Sequence, residues 1–501
     1  MTFARFRSMK EIRGDLGGKS KFQLIFEELH MYFLPTLSVD ISSMQPKAIM
    51  EVLEVCNITP STSPLTHFSL PLTFSDLVQF ISPPTERILF YSLPANDLPR
   101  FDSILQTLKH SLSLTLSHFL PLAGNLVWPQ HSPEPFIVYN PGDSVSLTIA
   151  KTEADFDHLL SNHVRKAKES HFLVPQLPTS DTIAPPMSLQ ITLFPKSGFS
   201  IGIITSHVVV DGKTSTMFLK SWASICSTLN CTNNNNLPTL PPELTPFFDR
   251  TAAKDPNGLE RLYVKHYGAF VRQPKILVLT PKRVISDDVV HATFELTRID
   301  IEKLRRKVAT NSTSTRHLTT FVLTYALIST CIVKAERIEP KSKIALFFAV
   351  DMRPRMGALG GLNYFGNGVI GLGEFLEAKE LEEENGMAMV ANKISDRIME
   401  MEKSVKENKV VEMVEEILGR WGREMPISKM IVAGGSPRFG VYEIDFGWGN
   451  SKKVEMVSIN PNGSFSMTES RSGNGGVEVG VILPKDVMNV FSSLFYEEVK
   501  E

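Results

Sequence analysis

The segment His207-Val208-Val209-Val210-Asp211-Gly212 brings an imidazole, a carboxylate and a glycine together in a chain of 501 residues. An imidazole titrates near neutral pH and can take a proton from a hydroxyl, which is what general-base catalysis needs. The chain holds 12 histidines, and a lone histidine is more often a surface or satisfied core residue, so position has to decide. His207 follows a strongly apolar run and Gly212 precedes a helical pattern. Strand-to-helix junctions present side chains at the open edge of a sheet, where ligand crevices form. Asp211 either fixes the local turn or completes a His-Asp dyad, and the spacing leaves both open.

The chain shows no rival nucleophile. It contains no Gly-x-Ser-x-Gly elbow, and none of Cys56, Cys226, Cys231 and Cys331 is placed near a strand end. Direct attack by a substrate hydroxyl that His207 deprotonates is therefore expected in preference to a covalent acyl-enzyme. The cysteines form no CxxC pair or Cys/His cluster suggesting zinc, and their scattered usage fits a reducing compartment. A second feature, Asp445-Phe446-Gly447-Trp448-Gly449, reads as a strand end followed by a tight turn, since two glycines around a tryptophan imply close backbone approach. Asp445 is either a catalytic carboxylate or, as is commoner in such a motif, an anchor for the turn. The stretch from Arg261 to Arg283 carries Arg261, Lys265, Arg272, Lys275, Lys282 and Arg283 with no acidic residue. Such a stretch can meet phosphate charges or serve as a solvated basic face, and Lys452 and Lys453 are rivals for the same role.

The elements that must position these residues read as a mixed α/β protein. Alternation gives strands over Met50–Ile58 and Glu86–Leu93, and leucines at helical spacing give a helix over Ile104–Phe119, ended by Pro121 and Gly124. Leu189–Phe194 and Phe199–Thr205 flank the turn residues 195–198 and lead straight into His207, after which Lys213–Leu229 reads as a helix. A polar and proline-rich tract from Asn233 to Pro246 is the linker candidate. The same ingredients then recur: a strand over Val290–Leu296, helices over Ile299–Thr310 and Thr319–Glu336, and a strand over Lys343–Val350. Two charge-rich helices fit Glu374–Trp421, and strands are expected over Val441–Phe446, Val454–Ile459, Ser464–Ser470 and Gly475–Leu483. Two α/β halves joined by a proline-rich crossover is the expected architecture.

Length and composition agree, since 501 residues suggest roughly two or three domains. Hydrophobic residues at 42% and charged residues at 21% fit a globular chain with a sizeable core, and a formal charge of -2 lacks the basic excess of a nucleic-acid binder. The most apolar stretch, Leu318–Val333, is short and carries Thr319, Thr320, Thr324, Tyr325, Ser329 and Thr330, so it reads as a buried helix and not a membrane span. The C-terminal Glu-Val-Lys-Glu matches no retrieval or peroxisomal signal, and a cytoplasmic location is the simplest expectation. Residues 1–49 begin with Arg5, Arg7, Lys10 and Arg13, yet Glu11, Asp15, Glu27 and Glu28 count against a transit peptide. Gly18-Lys19-Ser20 ends like a phosphate-binding loop, but Arg13 stands where that loop needs glycine. A poorly ordered upstream extension, with Met50 as the usual start, is expected.

Taken together, His207–Gly212 and Asp445–Gly449 resemble the paired signatures of the plant BAHD acyltransferases. The resemblance covers nearly all of Met50 to Glu501 and extends to Phe119–Asn125, Phe248-Asp249-Arg250, Ser436–Tyr442 and Glu469-Ser470-Arg471. Tyr364-Phe365-Gly366-Asn367-Gly368 is similar to the Tyr-Phe-Gly-Asn-Cys motif of the clade that acylates anthocyanins and other phenolic glycosides, often with malonyl groups, although Gly368 replaces the cysteine. The resemblance implies an α/β fold of two chloramphenicol-acetyltransferase-like domains, with a solvent channel between them passing the histidine. Its divisions would be an extension at 1–49, an N-terminal domain at 50–232, a crossover loop at 233–258 and a C-terminal domain at 259–501. It implies an acyltransferase of groups other than aminoacyl, using acyl-CoA, most simply malonyl-CoA, on a phenolic, flavonoid or anthocyanin glucoside. A donor such as hydroxycinnamoyl-CoA or acetyl-CoA with another alcohol or amine acceptor is the rival. His207 would be the general base, and Asp211 a structural residue paired with Arg353. Asp445, Gly447, Trp448 and Gly449 would shape the coenzyme A side, with the phosphates meeting Lys282, Arg283, Lys452 or Lys453. Backbone near Gly434-Gly435-Ser436 is a candidate for meeting the oxyanion. A monomer with no metal, no permanently bound cofactor and no nucleic-acid or membrane partner is implied.

Overall fold

The computed structural model describes residues 50–61, 67–94, 101–129, 132, 134–178, 182–231, 238–252, 286–310, 318–355, 363–424 and 426–500. Two large sheets carry the molecule. The first has six strands in the order Met50–Ile58, Val145–Thr152, Met187–Phe194, Gly198–Thr205, Thr85–Ser92 and Lys453–Met456. Gly198–Thr205 is buried at every residue, as its near-continuous apolar run requires of a strand covered on both faces. On one face Phe199, Ile201 and Ile203 share a core with the helices Phe101–Leu116 and Gly212–Cys231, and on the other Ile204 packs with Ile88, Phe90 and Phe194.

The second sheet has seven strands in the order Val369–Glu377, Lys343–Asp351, Lys429–Gly435, Ser464–Glu469, Val477–Pro484, Val289–Leu296 and Arg165–Lys166. The helix Thr320–Glu336 lies within this half's core, with Val322, Leu323, Leu327 and Ile328 at 0–1% exposure. Its polar Tyr325 is satisfied by donating to the carbonyls of Ile431 at 2.6 Å and Phe347 at 3.1 Å, as a buried hydroxyl must be. Among the described residues no helix is long and apolar enough to cross a membrane. The two halves trade edge strands: Lys453–Met456, late in the chain, pairs with Thr85–Ser92, and Arg165–Lys166, early in the chain, pairs with Val289–Leu296. A smaller sheet of four strands, Phe68–Pro71, Phe136–Tyr139, Asn125–Val127 and Ile183–Ala184, completes the first half.

Two sequence expectations need correction. Val441–Phe446 is not a strand but a single 3-10 turn at Val441–Glu443 followed by irregular chain. Its apolar residues Val441, Tyr442, Ile444 and Phe446 bury against the core of the first sheet, so the alternation is satisfied by packing and not by strand pairing. Glu374 to Glu377 is not helical either, because the strand Val369–Glu377 runs through it, and three helices follow instead of two: the short Ala378–Glu382, then Gly386–Lys406 and Val410–Glu424. Glu374 is a buried strand residue whose two oxygens take a forked pair of bonds from Arg420 at 2.9 and 3.0 Å.

Candidate active site

Gly198–Thr205 delivers the chain to Ser206, whose N–H donates to Pro186 O at 2.8 Å. The N–H groups of Val209 and Val210 both return to Ser206 O, at 3.1 and 3.2 Å, closing a tight turn that carries His207. The helix Gly212–Cys231 starts at once, because Asp211 is a good N-cap: its Oδ1 accepts the Thr214 N–H at 2.9 Å. His207 is thus held between the end of a central strand and the head of a helix. Its Nδ1 is buried and, among the described residues, makes no hydrogen bond. Burial lowers the imidazole below its ordinary value of 6.5, outweighing the opposing effects of its own backbone, the Asp211 charge and Asn367. The ring is therefore neutral near pH 7 and able to accept a proton.

Asp211 turns its bonds away from His207. Besides the cap, its Oδ2 accepts from Gly368 N–H at 3.1 Å and faces Arg353 Nη2 at 2.8 Å. Burial alone would raise its carboxyl, but the Arg353 charge and the two backbone donors outweigh it and hold the group below 3.8. Arg353 is itself buried at 2% exposure and also reaches Asp351 Oδ1 at 3.1 Å, Thr214 Oγ1 at 3.1 Å and Gly366 O at 2.8 Å. A dyad geometry is absent, since none of these Asp211 bonds goes to the imidazole.

Tyr364–Gly368, which joins this network, sits just before the strand Val369–Glu377 of the second sheet. Its carbonyls and amides grip the His207 segment at several points: Gly366 O accepts from Thr214 Oγ1 at 2.8 Å, Gly368 N–H donates to Asp211, and Asn367 Nδ2 donates to His207 O at 2.9 Å. Arg250 holds the same stretch from outside, donating to Tyr364 OH at 2.5 Å and Phe365 O at 2.6 Å while its guanidinium lies 5.1 Å from the Tyr364 ring centre. His207 belongs to the first half and its braces belong to the second, so the candidate site stands at the junction of the two. The start of the helix is closed over by Phe439: a Cβ on Gly212 would come within 2.8 Å of that ring.

Comparison with known proteins gives the family. A model of the transferase family matches residues 49–498. The chain belongs to the BAHD acyltransferase family. It is 39% identical over 454 residues to malonyl-CoA:anthocyanidin 5-O-glucoside-6''-O-malonyltransferase of Arabidopsis thaliana, covering 89% of this chain and 97% of that one. It is 38% identical over 468 residues to phenolic glucoside malonyltransferase 1 of the same plant, again with 89% and 97% covered. Among solved structures, vinorine synthase superposes with a TM-score of 0.62 at 21% identity over 89% of this chain and 98% of that one, which establishes the shared chloramphenicol-acetyltransferase-like α/β fold.

In this BAHD acyltransferase the Asp445–Gly449 motif is a clip on the first half. Asp445 Oδ1 accepts from the N–H groups of Gly447 at 2.7 Å and Gly449 at 2.9 Å, closing the turn. Phe446 is fully buried edge-on to Trp222 at 4.9 Å and to Tyr91 at 5.6 Å, and Trp448 meets Phe199 at 6.2 Å. Gly447 has φ +99, a left-handed value that a side chain resists, and a Cβ there would come within 2.7 Å of Asn230 Nδ2. Among the described residues, no hydrogen bond or ring contact links the motif to His207.

The four basic residues singled out for phosphate separate. Lys452 is exposed, with its N–H given to Phe90 O at 2.7 Å. Lys453 is 1% exposed and donates to Ser161 O, and burial pushes its amine down to about 8. Lys282 and Arg283, with the rest of the basic stretch, lie outside the described residues. Among the described residues no three His, Cys, Asp or Glu side chains come together as a metal site. What reading the sequence missed is Asp76, a fully buried carboxylate beside Asn367 and Arg250. Only its place after Thr73 as part of a capping pattern was there to find it.

Proposed function

We propose that this chain transfers an acyl group, most directly malonyl, from coenzyme A to a sugar hydroxyl of a phenolic or anthocyanin-type glucoside, with His207 as general base. The observation that carries the mechanism is an imidazole only partly covered, on a hydrogen-bonded turn at the junction of the two halves, where burial lowers it below its ordinary value and favours the neutral ring. His207 takes the acceptor hydroxyl proton as that oxygen attacks the thioester carbonyl. A new C–O bond forms, the C–S bond breaks, and His207 returns the proton to the departing thiolate. Asp211 and Arg353 hold the turn and do not transfer protons. Backbone N–H groups near Gly434-Gly435-Ser436 are the candidate donors for the oxyanion, on the stretch that leads to Phe439 over the head of the helix.

The malonyl and glucoside assignments are supported by the names of the relatives at 39% and 38% identity and by Tyr364–Asn367. The test is a panel of malonyl-, acetyl- and hydroxycinnamoyl-CoA against one anthocyanin glucoside and one simple phenolic glucoside, following thioester consumption. Malonyl-CoA should be consumed fastest with either glucoside. Preferential use of hydroxycinnamoyl-CoA, or transfer only to an amine, would overturn the donor and acceptor while leaving acyl transfer intact.

A further inference from the structure

Asp76 lies in the short helix Phe74–Leu77, is 0% exposed, and takes no part in the mechanism above. Its Oδ2 accepts from the N–H and the hydroxyl of Thr73, both at 2.9 Å. Its Oδ1 accepts from the backbone N–H and the side-chain Nδ2 of Asn367, both at 2.9 Å. Arg250 Nη2 stands 3.5 Å from the same carboxylate. The Asn367 amide is therefore oriented from behind, and rotating it would bring its oxygen against a carboxylate oxygen.

The same Nδ2 faces forward onto the His207 turn. It lies 2.9 Å from His207 O and 3.3 Å from Val208 O. The turn's own backbone bonds end on Ser206 O, so Asn367 supplies a donor to the two carbonyls nearest the imidazole. With Nδ2 committed to three oxygens, Asn367 Oδ1 is left buried and, among the described residues, without a hydrogen bond, as is His207 Nδ1. The two side chains are joined through the His207 carbonyl, which accepts from Asn367 Nδ2.

We propose that Asp76 is a positioning residue for His207, acting through Asn367: it fixes the amide that holds the His207 and Val208 carbonyls, and so the peptide planes from which the imidazole is presented. The Asn367 side chain favours the protonated imidazole, after the ring's own backbone and the Asp211 charge. The proposal rests on the reading of His207 as general base.

The test uses the full chain with Asp76→Asn, Asn367→Asp, the double variant, and each again in a His207→Ala background, measuring kcat, KM for acyl-CoA and Tm. Each single change should lower kcat about 10–100-fold, the scale of a catalytic group displaced by up to an ångström, with KM nearly unchanged. The double variant restores an amide–carboxylate pair between 76 and 367 but turns oxygens toward the His207 carbonyl, so Tm should recover and kcat should not. In the His207→Ala background the same changes should leave the residual rate unaltered. Wild-type kcat in the single variants, recovery of kcat with Tm in the double, or an equal further loss without the imidazole would each overturn the positioning role. If a single variant does not fold, Asn367→Ala replaces it, judged by the same comparison with and without His207. Full activity of His207→Ala alone would overturn the general-base reading instead, so the two failures are distinguishable.

Discussion

His207 and Asp211 sit four residues apart, yet their side chains answer to different forces, and substitution separates them. Removing the imidazole with His207→Ala leaves the Ser206 turn and the Asp211 cap in place, so kcat should fall about 10²–10⁴-fold with Tm nearly unchanged. Because burial lowers the imidazole below 6.5, the proposed base stays neutral into weak acid, and the acid limb of a kcat/KM–pH profile should lie below pH 6.5. A limb above that value would contradict the environment described. Asp211→Asn acts the other way: it leaves Arg353, at 2% exposure, without its 2.8 Å counter-charge. The loss should be about 3 kcal/mol in a denaturant titration, since Asp351 remains as a second neighbour of the guanidinium. Its folded carboxyl is held below 3.8, so the stability it contributes is present above that pH and is lost as pH falls through the lower folded value. Sequence spacing could not tell dyad from brace, because the decisive donors lie far along the chain, Gly368 being 157 residues from Asp211 and Arg353 in the same later half.

At the scale of elements, the Asp445–Gly449 turn and the Tyr364–Gly368 stretch both work by fastening one piece of chain to another. Asp445→Ala removes the acceptor of two turn N–H groups and should cost about 1–3 kcal/mol, read as a fall in Tm. Gly447→Ala should cost a similar amount, about 1–3 kcal/mol, from backbone strain at φ +99 together with the approach to Asn230. In both variants the His207 turn keeps its bonds to Ser206 O and Asn367, so any loss of kcat should be smaller than in His207→Ala. Gly368, where the clade motif has cysteine, faces Arg353 so closely that a Cβ would come within 2.6 Å of the guanidinium carbon. Residue type there and the placement of Arg353 are therefore set together. Strands such as Gly198–Thr205 were legible because burial on both faces writes a continuous apolar run. Val441–Phe446 was misread because the same alternation arises when a loop packs its apolar residues onto a sheet. Asp76 was not legible as a brace at all, its contact with Asn367 spanning 291 residues.

Across the whole molecule, the traded edge strands gather buried charge where the two sheets meet. Arg165 pairs with Glu455, and His291 and Lys453 lie beside them at 3% and 1% exposure. Burial, with the Arg165, Lys453 and His171 charges, pushes the His291 imidazole down to about 3, against the pull of Glu455. The folded chain keeps this ring neutral while an unfolded chain protonates it near 6.5, so the unfolded state binds the extra proton. Stability should fall as pH drops from 6.5 towards about 3, and His291→Gln should flatten that part of a stability–pH curve. An unchanged slope in the variant would assign the acid sensitivity elsewhere. The two-half plan could be read from the recurrence of strand and helix patterns on either side of a proline-rich tract. The exchange could not, since Arg165–Lys166 is too short to announce itself as a strand.

That exchange also bears on how the chain comes to be folded. The first sheet lacks its sixth strand until residues 453–456 have been synthesised, so an N-terminal half emerging from the ribosome waits, with the edge Thr85–Ser92 open, for nearly the whole chain. An open edge is a template for association with other chains. Residues 50–252 expressed alone should therefore aggregate or recruit chaperones, and co-expression with residues 286–500 should rescue them in a soluble heterodimer. Thermal unfolding of the intact protein should be a single transition, the two halves having no separate finished state to return to.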